Sequence, residues 1–416
     1  FGSVGGSATN ALVTPIMRTS IEGDPQCSYI SKKVRDRIFA YGGANETGMK
    51  FDPLVLKIVL EELCVAAGIK LLYHTFIADV CKDGDRIKSI LIVNKAGMQL
   101  IEGDIFIDCT GDGDVSVFAG ASYTKGNPET GKNQPISLRY IVGGIDLVEV
   151  GKFFKSEIER TGIERAVGVD VNGLYGIYGA VTGAGEWTLT NIFEQAIANG
   201  DLDEDDKFYW QAFNLPNRND SLAFNNPEFF DDVDGTNPDH LTRTQSEGRR
   251  RIYRQLQFYK KYMKGFENAY ISEIAPMVGI RETRNITAEY VITAEDLICR
   301  YKYADAVCQS NYPIDIHGRC LDFGDRFKPV DDGKPYYEIP YRSLVVKGID
   351  NLYVAGRCLG AEFLAQSALR VQHSMRSSGE AAGIGAALAL DKGILPRELD
   401  GKEVRIRMEE LGAEFA

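Results

Sequence analysis

The sequence is poor in the residues that build metal and nucleophile sites, and poor in positive charge. Only four histidines occur, His74, His240, His317 and His373, and they are far apart along the chain. Eight cysteines stand at 27, 64, 81, 109, 299, 308, 320 and 358 with no CxxC pair, so no metal site is expected from their spacing. A disulfide framework is shorter and denser in cysteine; these read as free thiols of a reducing compartment, and on that usage alone the expected localisation is cytoplasmic. Lys and Arg total 47 against 59 Asp and Glu, a net charge of −12 and a pI of about 5.1. A nucleic-acid partner needs a basic surface to displace counterions, so none is expected. An acidic small substrate stays open, because one local arginine cluster outweighs a distant negative field. No apolar run approaches the roughly 20 residues needed to cross a bilayer, and no membrane span is expected. Repeats and low-complexity tracts are missing too.

What is present is an ordinary globular balance, 44% hydrophobic and 25% charged, which argues against disorder. At 416 residues the chain exceeds one simple core, and about 150 residues per domain gives two or three domains. It opens on a Gly-rich stretch, FGSVGGSATN, that runs into a helix start. A helix is predicted over about Pro53–Gly68, with Leu54, Ile58, Leu63 and Val65 as its apolar repeat. Three strands follow, Lys70–His74, Ile87–Asn94 and Gln99–Cys109, with Asp83-Gly84 and Ala96-Gly97 as turn signals. The last runs into a dense turn, TGDGD, of the kind that meets ligands at strand ends in doubly wound domains. From Asn127 the character changes. Residues 170–190 read as strands with tight turns, the Asp/Asn/Pro-rich stretch 200–240 as long solvated connections, and Thr242–Lys264 as an amphipathic helix whose basic run Arg249–Arg251 is a solvated face. Past residue 335 the α/β pattern returns, with a strand Leu352–Ala355 ending at Gly356, a small-residue helix over about Ala368–Leu390, and an amphipathic segment Gly401–Gly412. One discontinuous domain interrupted by another fits this order.

Three motifs carry chemistry. In Gly5-Gly6-Ser7, paired glycines admit a ligand close to the backbone and the hydroxyl and amides can donate to it; taken alone, an ordinary turn accounts for it better. In Cys109-Thr110-Gly111-Asp112-Gly113-Asp114, main-chain N–H groups at the sheet edge would suit a nucleotide. A strand-to-helix turn capped by Asp112 or Asp114 fits it equally well. The third is the most specific: Asn351–Arg357, then Ser367-Ala368-Leu369-Arg370-Val371, then Gly379–Gly383. A strand ending at glycine leads through a loop to a helix N-terminus, where partial positive charge and free N–H donors collect. A packed Gly/Ala-rich helix explains those glycines but not the strand–Gly-Arg–loop before them.

In this order the motifs GGSAT, FIDCTGDGD and VAGRCLGAEFLAQSALRV…GEAAG resemble the FAD-dependent oxidoreductases related to the fumarate reductase/succinate dehydrogenase flavoproteins, in particular a bacterial group of them. FDPLVLKIVLEEL and ENAYISEIAPMVGIRETRNITAEYVIT match that group as well, so the resemblance covers nearly the whole chain. It implies an α/β fold: a discontinuous FAD-binding domain, Rossmann-like and of glutathione-reductase type, over 1–126 and 335–416, with an inserted mixed β-rich α+β substrate domain at 127–334. The family's first strand–GxGxxG–helix unit, roughly 30 residues, is expected before Phe1, as in an N-terminally truncated chain.

The resemblance further implies bound FAD, non-covalent because no histidine or cysteine stands at an attachment position. Gly5, Gly6, Ser7 and Thr9 would line its pyrophosphate and ribityl chain, and the main chain at Ile77 its adenine. Thr110 and Gly111 would flank the adenosine, Gly356 and Arg357 the ribityl region, and Ala368, Leu369, Arg370 and Val371 the flavin ring. Arg281, Glu282 and Arg284 fall in a recurrent arginine motif of the group, either clamping a substrate carboxylate or carbonyl or forming an interdomain salt bridge. Arg370 and His373 could reach a substrate above the ring, His373 as a general base or as a structural residue. Tyr341 and Arg342 either face the site or pack the strand. The expected reaction is hydride transfer between flavin and a small-molecule substrate. A lyase or isomerase acting on a carbohydrate, or a flavin-free binding module, are the alternatives. Self-association into a homo-oligomer is left open.

Overall fold

The computed structural model describes residues 1–17, 21–45, 50–165, 167–169, 177–182, 185–316 and 332–416, with the side chains of 168–169 and 177–182 set aside. His317, Cys320 and residues 170–176 and 183–184 of the Gly-rich stretch therefore lie outside the described residues.

The helix Pro53–Ala66 begins where its sequence says it should. Asp52 accepts from Leu54 N at 2.9 Å and Pro53 takes the first position. Its buried face differs from the expected one. Leu56 and Val59 are buried against Val34 and Ile38 of the helix Tyr29–Ala40, while Leu54, Ile58 and Val65 are 53%, 45% and 67% exposed. The helix is apolar on nearly every side, so periodicity alone could not choose a face and packing did.

The expected strand at 70–74 is replaced by Phe76–Asp83, paired antiparallel with Arg86–Asn94 across Gly84, and Gly97–Glu102 completes a three-stranded meander. The single strand expected over 99–109 is broken. Its second half, Phe106–Asp108, leaves the meander and pairs in parallel with Leu352–Val354, placing Val354 opposite Asp108. Asn351 fixes the junction, donating to Ile87 O and Asp104 O at 2.9 Å and accepting from Ile87 N. Two parallel strands from opposite ends of the chain thus end side by side, and the loops after both emerge at one edge.

Within the stretch 200–240, read as solvated connections, Tyr209–Leu215 and Arg218–Phe224 are instead the central strands of a six-stranded antiparallel sheet. Its order is Tyr270–Ile274, Tyr140–Gly143, Arg218–Phe224, Tyr209–Leu215, Ile177–Thr182, Val167–Val169. Of the polar segments that suggested a loop, LPNRNDS forms the tip of its central hairpin and the others lie outside the strands, whereas Tyr209, Trp210, Ala212, Leu222, Ala223 and Phe224 are buried. Burial on both faces removes the alternation that marks a half-exposed strand. Trp210 lies 5.7 Å from Trp187 and 6.1 Å from Phe193, ring centre to ring centre. The helix Pro238–Tyr262, capped by Asn237, packs Ile252, Leu256, Phe258 and Tyr259 into the same core; of the basic run read as a solvated face, Arg249 and Arg250 are exposed, but Arg251 turns inward, pairing with Glu247 and donating to Glu228 O.

A second core gathers Tyr337, Tyr341, Tyr353, Ala381 and Ala382, and with them Ile292, Val307 and Cys308. The strand Ala306–Ser310 pairs with Tyr337–Pro340, so residues on both sides of 334 share this core. The expected helix over 368–390 is two helices, Phe363–Leu369 and Gln372–Lys392, parted where Val371 is extended (ψ 148°). The longer one has no side-chain cap at Val371, which leaves its first-turn N–H groups available.

Candidate active site

Asp108, fully buried, folds the TGDGD turn. Its Oδ1 accepts from Thr110 N and Oγ1 (3.0 and 2.7 Å), and its Oδ2 from Ser116 N and Oγ (both 2.8 Å). Gly111 and Gly113 both have positive φ (82° and 69°), and Gly113 caps the helix Asp114–Phe118 without a side-chain bond. The expected cap by Asp112 or Asp114 does not form, because both carboxylates are engaged elsewhere. Asp112 accepts from Arg357 Nη2 at 2.9 Å and Thr283 Oγ1 at 2.6 Å, and Asp114 from Arg284 Nη1 at 2.6 Å. Arg357 therefore ties together the loops after the two parallel strands, and Arg284 takes the salt-bridge role. Gly356 has φ 83°, its N–H faces Ser378 Oγ at 3.1 Å, and a Cβ built there would meet nothing within 4 Å. Open space over a left-handed glycine, beside the uncapped N-terminus of a 21-residue helix, is a cradle suited to the polar part of a flavin nucleotide.

The N-terminal loop adjoins this edge, since Gln372 Nε2 donates to Val13 O at 2.8 Å. Gly5 and Gly6 have φ of 103° and 53°, Ser7 starts the one-turn helix Ser7–Asn10, and the buried Thr9 hydroxyl donates to Val4 O at 2.6 Å. Ile77 is half-buried on the first meander strand. Ala368 and Leu369 are fully buried at the end of the shorter helix.

Behind these loops lies a buried group of three arginines. Arg281 forms an ion pair with Glu228 (2.9 Å), donates to Pro135 O, and lies 5.7 Å from the Tyr209 ring centre. Arg370 donates to Gln134 Oε1 (3.1 Å) and Asp315 O (3.2 Å), with the Asp315 carboxylate at 3.5 Å. The third, Arg139, is 8% exposed, and its Nε and Nη1 have no hydrogen-bond partner among the described residues. Burial pushes Arg139 down to about 9, with Arg281 and Arg370 adding repulsion. Among the described residues three guanidiniums thus share two carboxylates, Glu228 and Asp315. Gln366 links this group to the strand-end loops, donating to Arg281 O (3.0 Å) and Arg357 O (3.2 Å) and accepting from Gln134 (2.8 Å).

Glu282, 1% exposed, follows Arg281 directly. Its Oε1 accepts from Gly126 N at 2.9 Å and Asn285 Nδ2 at 3.2 Å, while Oε2 has no partner among the described residues. Burial raises its carboxyl to about 7, against the opposing pull of the Gly126 and Gln134 N–H groups and Arg357. A group poised there can give or take a proton at neutral pH. The unfolded carboxyl titrates near 4.5 and the folded one near 7, so the folded state holds the extra proton between them. Its stabilising effect is full below 4.5 and lost as pH rises through 7. Glu282→Gln should match the wild type at pH near 4 and exceed it by about 3 kcal/mol above pH 8. Denaturant midpoints at the two pH values check this; equal differences at both would contradict it.

The remaining expected residues lie apart. Tyr341 packs, with its hydroxyl 2.6 Å from that of Tyr353, and Arg342 pairs with Asp305 at 2.9 Å between the Tyr290 and Tyr303 rings. His373 turns from the arginine group toward Cys27 and Cys308. Sequence reading missed Arg139, Gln134, Glu228 and Tyr209. One signal was available: Arg139 interrupts the apolar run ISLRYIV, where a charge must be buried.

The fold is of mixed α/β structure. Residues 1–408 match the family described as FAD dependent oxidoreductase, and the chain belongs to that family. Its cofactor is accordingly FAD. No match was found among curated protein sequences. Among solved structures it is similar to a flavin-dependent brominase triple mutant, with 11% identity, TM-score 0.38, and cover of 87% of this chain and 61% of that one. It is also similar to L-proline dehydrogenase from P. horikoshii (11%, TM-score 0.34, 84% and 58%). A third is p-nitrophenol 4-monooxygenase from Pseudomonas putida (9%, TM-score 0.35, 88% and 75%). The chain spans about three fifths of the length of the first two. No helix among the described residues is long and apolar enough to cross a membrane.

Proposed function

We propose that this oxidoreductase transfers a hydride between FAD and a small organic acid whose carboxylate is held by Arg139, Arg281 and Arg370. The observation that carries this reading is the buried Arg139 guanidinium, whose Nε and Nη1 have no hydrogen-bond partner among the described residues. Burying a charge is costly unless it is paired and hydrogen-bonded. A carboxylate supplies both a counter-charge and a planar acceptor that matches a guanidinium fork. FAD, when bound, provides the hydride chemistry. Gly5, Gly6, Ser7 and Thr9, the main chain at Ile77, Thr110 and Gly111, Gly356 and Arg357, and Ala368–Val371 would hold it. Glu282 would give or take the proton that accompanies hydride transfer, and Gln366 would keep the arginine group in register with the strand-end loops. In this reading 1–126 and 335–416 bind the cofactor and 127–334 brings most of the arginine clamp, a relation to the fumarate reductase/succinate dehydrogenase flavoproteins.

The visible spectrum of the protein expressed from its natural start codon tests the cofactor half of the proposal. A flavin spectrum, with FAD released on denaturation at close to one per chain, is the expected result. A colourless protein that takes up no added FAD would leave only the flavin-free binding module.

A further inference from the structure

Outside the arginine site, the fold brings together three residues that the sequence keeps far apart. Cys27 lies just before the helix Tyr29–Ala40, Cys308 in the strand Ala306–Ser310, and His373 in the first turn of Gln372–Lys392. The two sulfurs and a ring nitrogen lie within 4.8 Å of one another. Both cysteines are fully buried. We propose that Cys27, Cys308 and His373 form a binding site for one zinc ion, tetrahedral, with a water as fourth ligand.

The surroundings are those of a ligand set rather than of packed thiols. Metal-bound imidazoles usually donate their other N–H to a carbonyl, and His373 Nε2 lies 3.1 Å from Gln309 O. Metal-bound thiolates accept N–H groups, and Gln309 N donates to Cys27 Sγ at 3.4 Å. The backbone around Cys27 is clamped: Ser377 Oγ donates to Cys27 O at 2.9 Å, and the Glu380 carboxylate accepts from Ser28 Oγ at 2.6 Å and from Ile30 N at 2.9 Å. The fourth position has its own support. Ser374 Oγ is fully buried beside the Cys308 sulfur and next in sequence to His373. A hydroxyl there is suited to hold a metal-bound water.

The choice of ion follows from the donors. Two thiolates and an imidazole are borderline-soft ligands that favour zinc over magnesium or calcium. Two thiolates balance the charge of a divalent cation, so the buried site becomes neutral on binding as two protons leave the thiols. Zinc would also cross-link three segments distant in the chain beneath the helix that faces the cofactor.

Elemental analysis of the FAD-loaded protein, purified without chelator, tests the site. Close to one zinc per chain is expected, falling at least tenfold in Cys27→Ser and in Cys308→Ser. Where a variant fails to fold, the wild type alone decides. Its native thiols should react slowly with a disulfide reagent until a chelator strips the zinc, with Cys27 and Cys308 identified by peptide mapping as the newly reactive pair. Zinc-free protein that takes up none from a buffered zinc solution would overturn the proposal. So would a native mass two hydrogens lower with a mapped Cys27–Cys308 disulfide.

Discussion

Arg139→Met is expected to lower kcat/KM for the acid substrate by about 30- to 1000-fold while leaving the protein as stable as the wild type or more so. The first effect is the loss of a buried, charge-assisted contact, about 2–4 kcal/mol of binding to the reacting complex. It should appear mainly in KM, because a clamp on a non-reacting carboxylate holds ground state and transition state alike. The second effect has the opposite sign. Arg139 is a buried cation with two N–H groups unpartnered among the described residues, and burial already pushes it down to about 9. Replacing it with an apolar chain of similar length removes that cost. A residue kept for function at the expense of stability behaves in this way. Steady-state kinetics on the acid and its amide, with a denaturation curve for each protein, check both halves. A variant that is unfolded, or equally active on the acid, would remove Arg139 from the clamp.

Arg281→Leu should behave differently, destabilising the fold by about 3–5 kcal/mol, because it breaks a buried ion pair. The Glu228 side chain has no exposure to solvent and Arg281 stands 2.9 Å from it. Removing Arg281 takes away the guanidinium in direct contact with a carboxylate that has lost its hydration. The double variant Arg281→Leu/Glu228→Gln should recover most of the loss, since it removes the buried carboxylate charge as well. Chemical denaturation of the two variants measures this; a double variant no more stable than the single would show that the loss comes from packing alone. The two arginines would thus separate by signature: Arg281 carries stability through its ion pair with Glu228, whereas Arg139 serves the proposed ligand.

The two parallel strands and the loops after them were legible in the sequence, because their signals are local. TGDGD after an apolar strand and Gly-Arg after another are each set by a few adjacent residues, and the structure pairs those two strands in parallel with their loops at one edge. The six-stranded sheet was largely hidden. Its central strands were masked by the polar tip of their hairpin, by polar segments on either side and by burial on both faces, so 200–240 read as loop. The helix Pro53–Ala66 shows the same limit in another form, since its start was fixed by Asp52 and Pro53 but its buried face by a neighbouring helix. The arginine group draws on Arg139, Glu228, Arg281 and Arg370, and the thiol–imidazole group on Cys27, Cys308 and His373. No spacing rule links residues so far apart. Only Arg139, as a charge inside an apolar run, announced its burial locally.

The central claim, flavin chemistry on a clamped carboxylate, is tested most directly by following flavin absorbance anaerobically. Small organic acids and their amides would be added to the oxidised enzyme, and then to the dithionite-reduced enzyme. The expected result is that an acid bleaches the oxidised flavin or restores the colour of the reduced one, that its amide does so at least 30-fold less effectively, and that Arg139→Met erases the difference. Acid and amide reacting equally well, or a neutral compound reacting while no acid does, would contradict it.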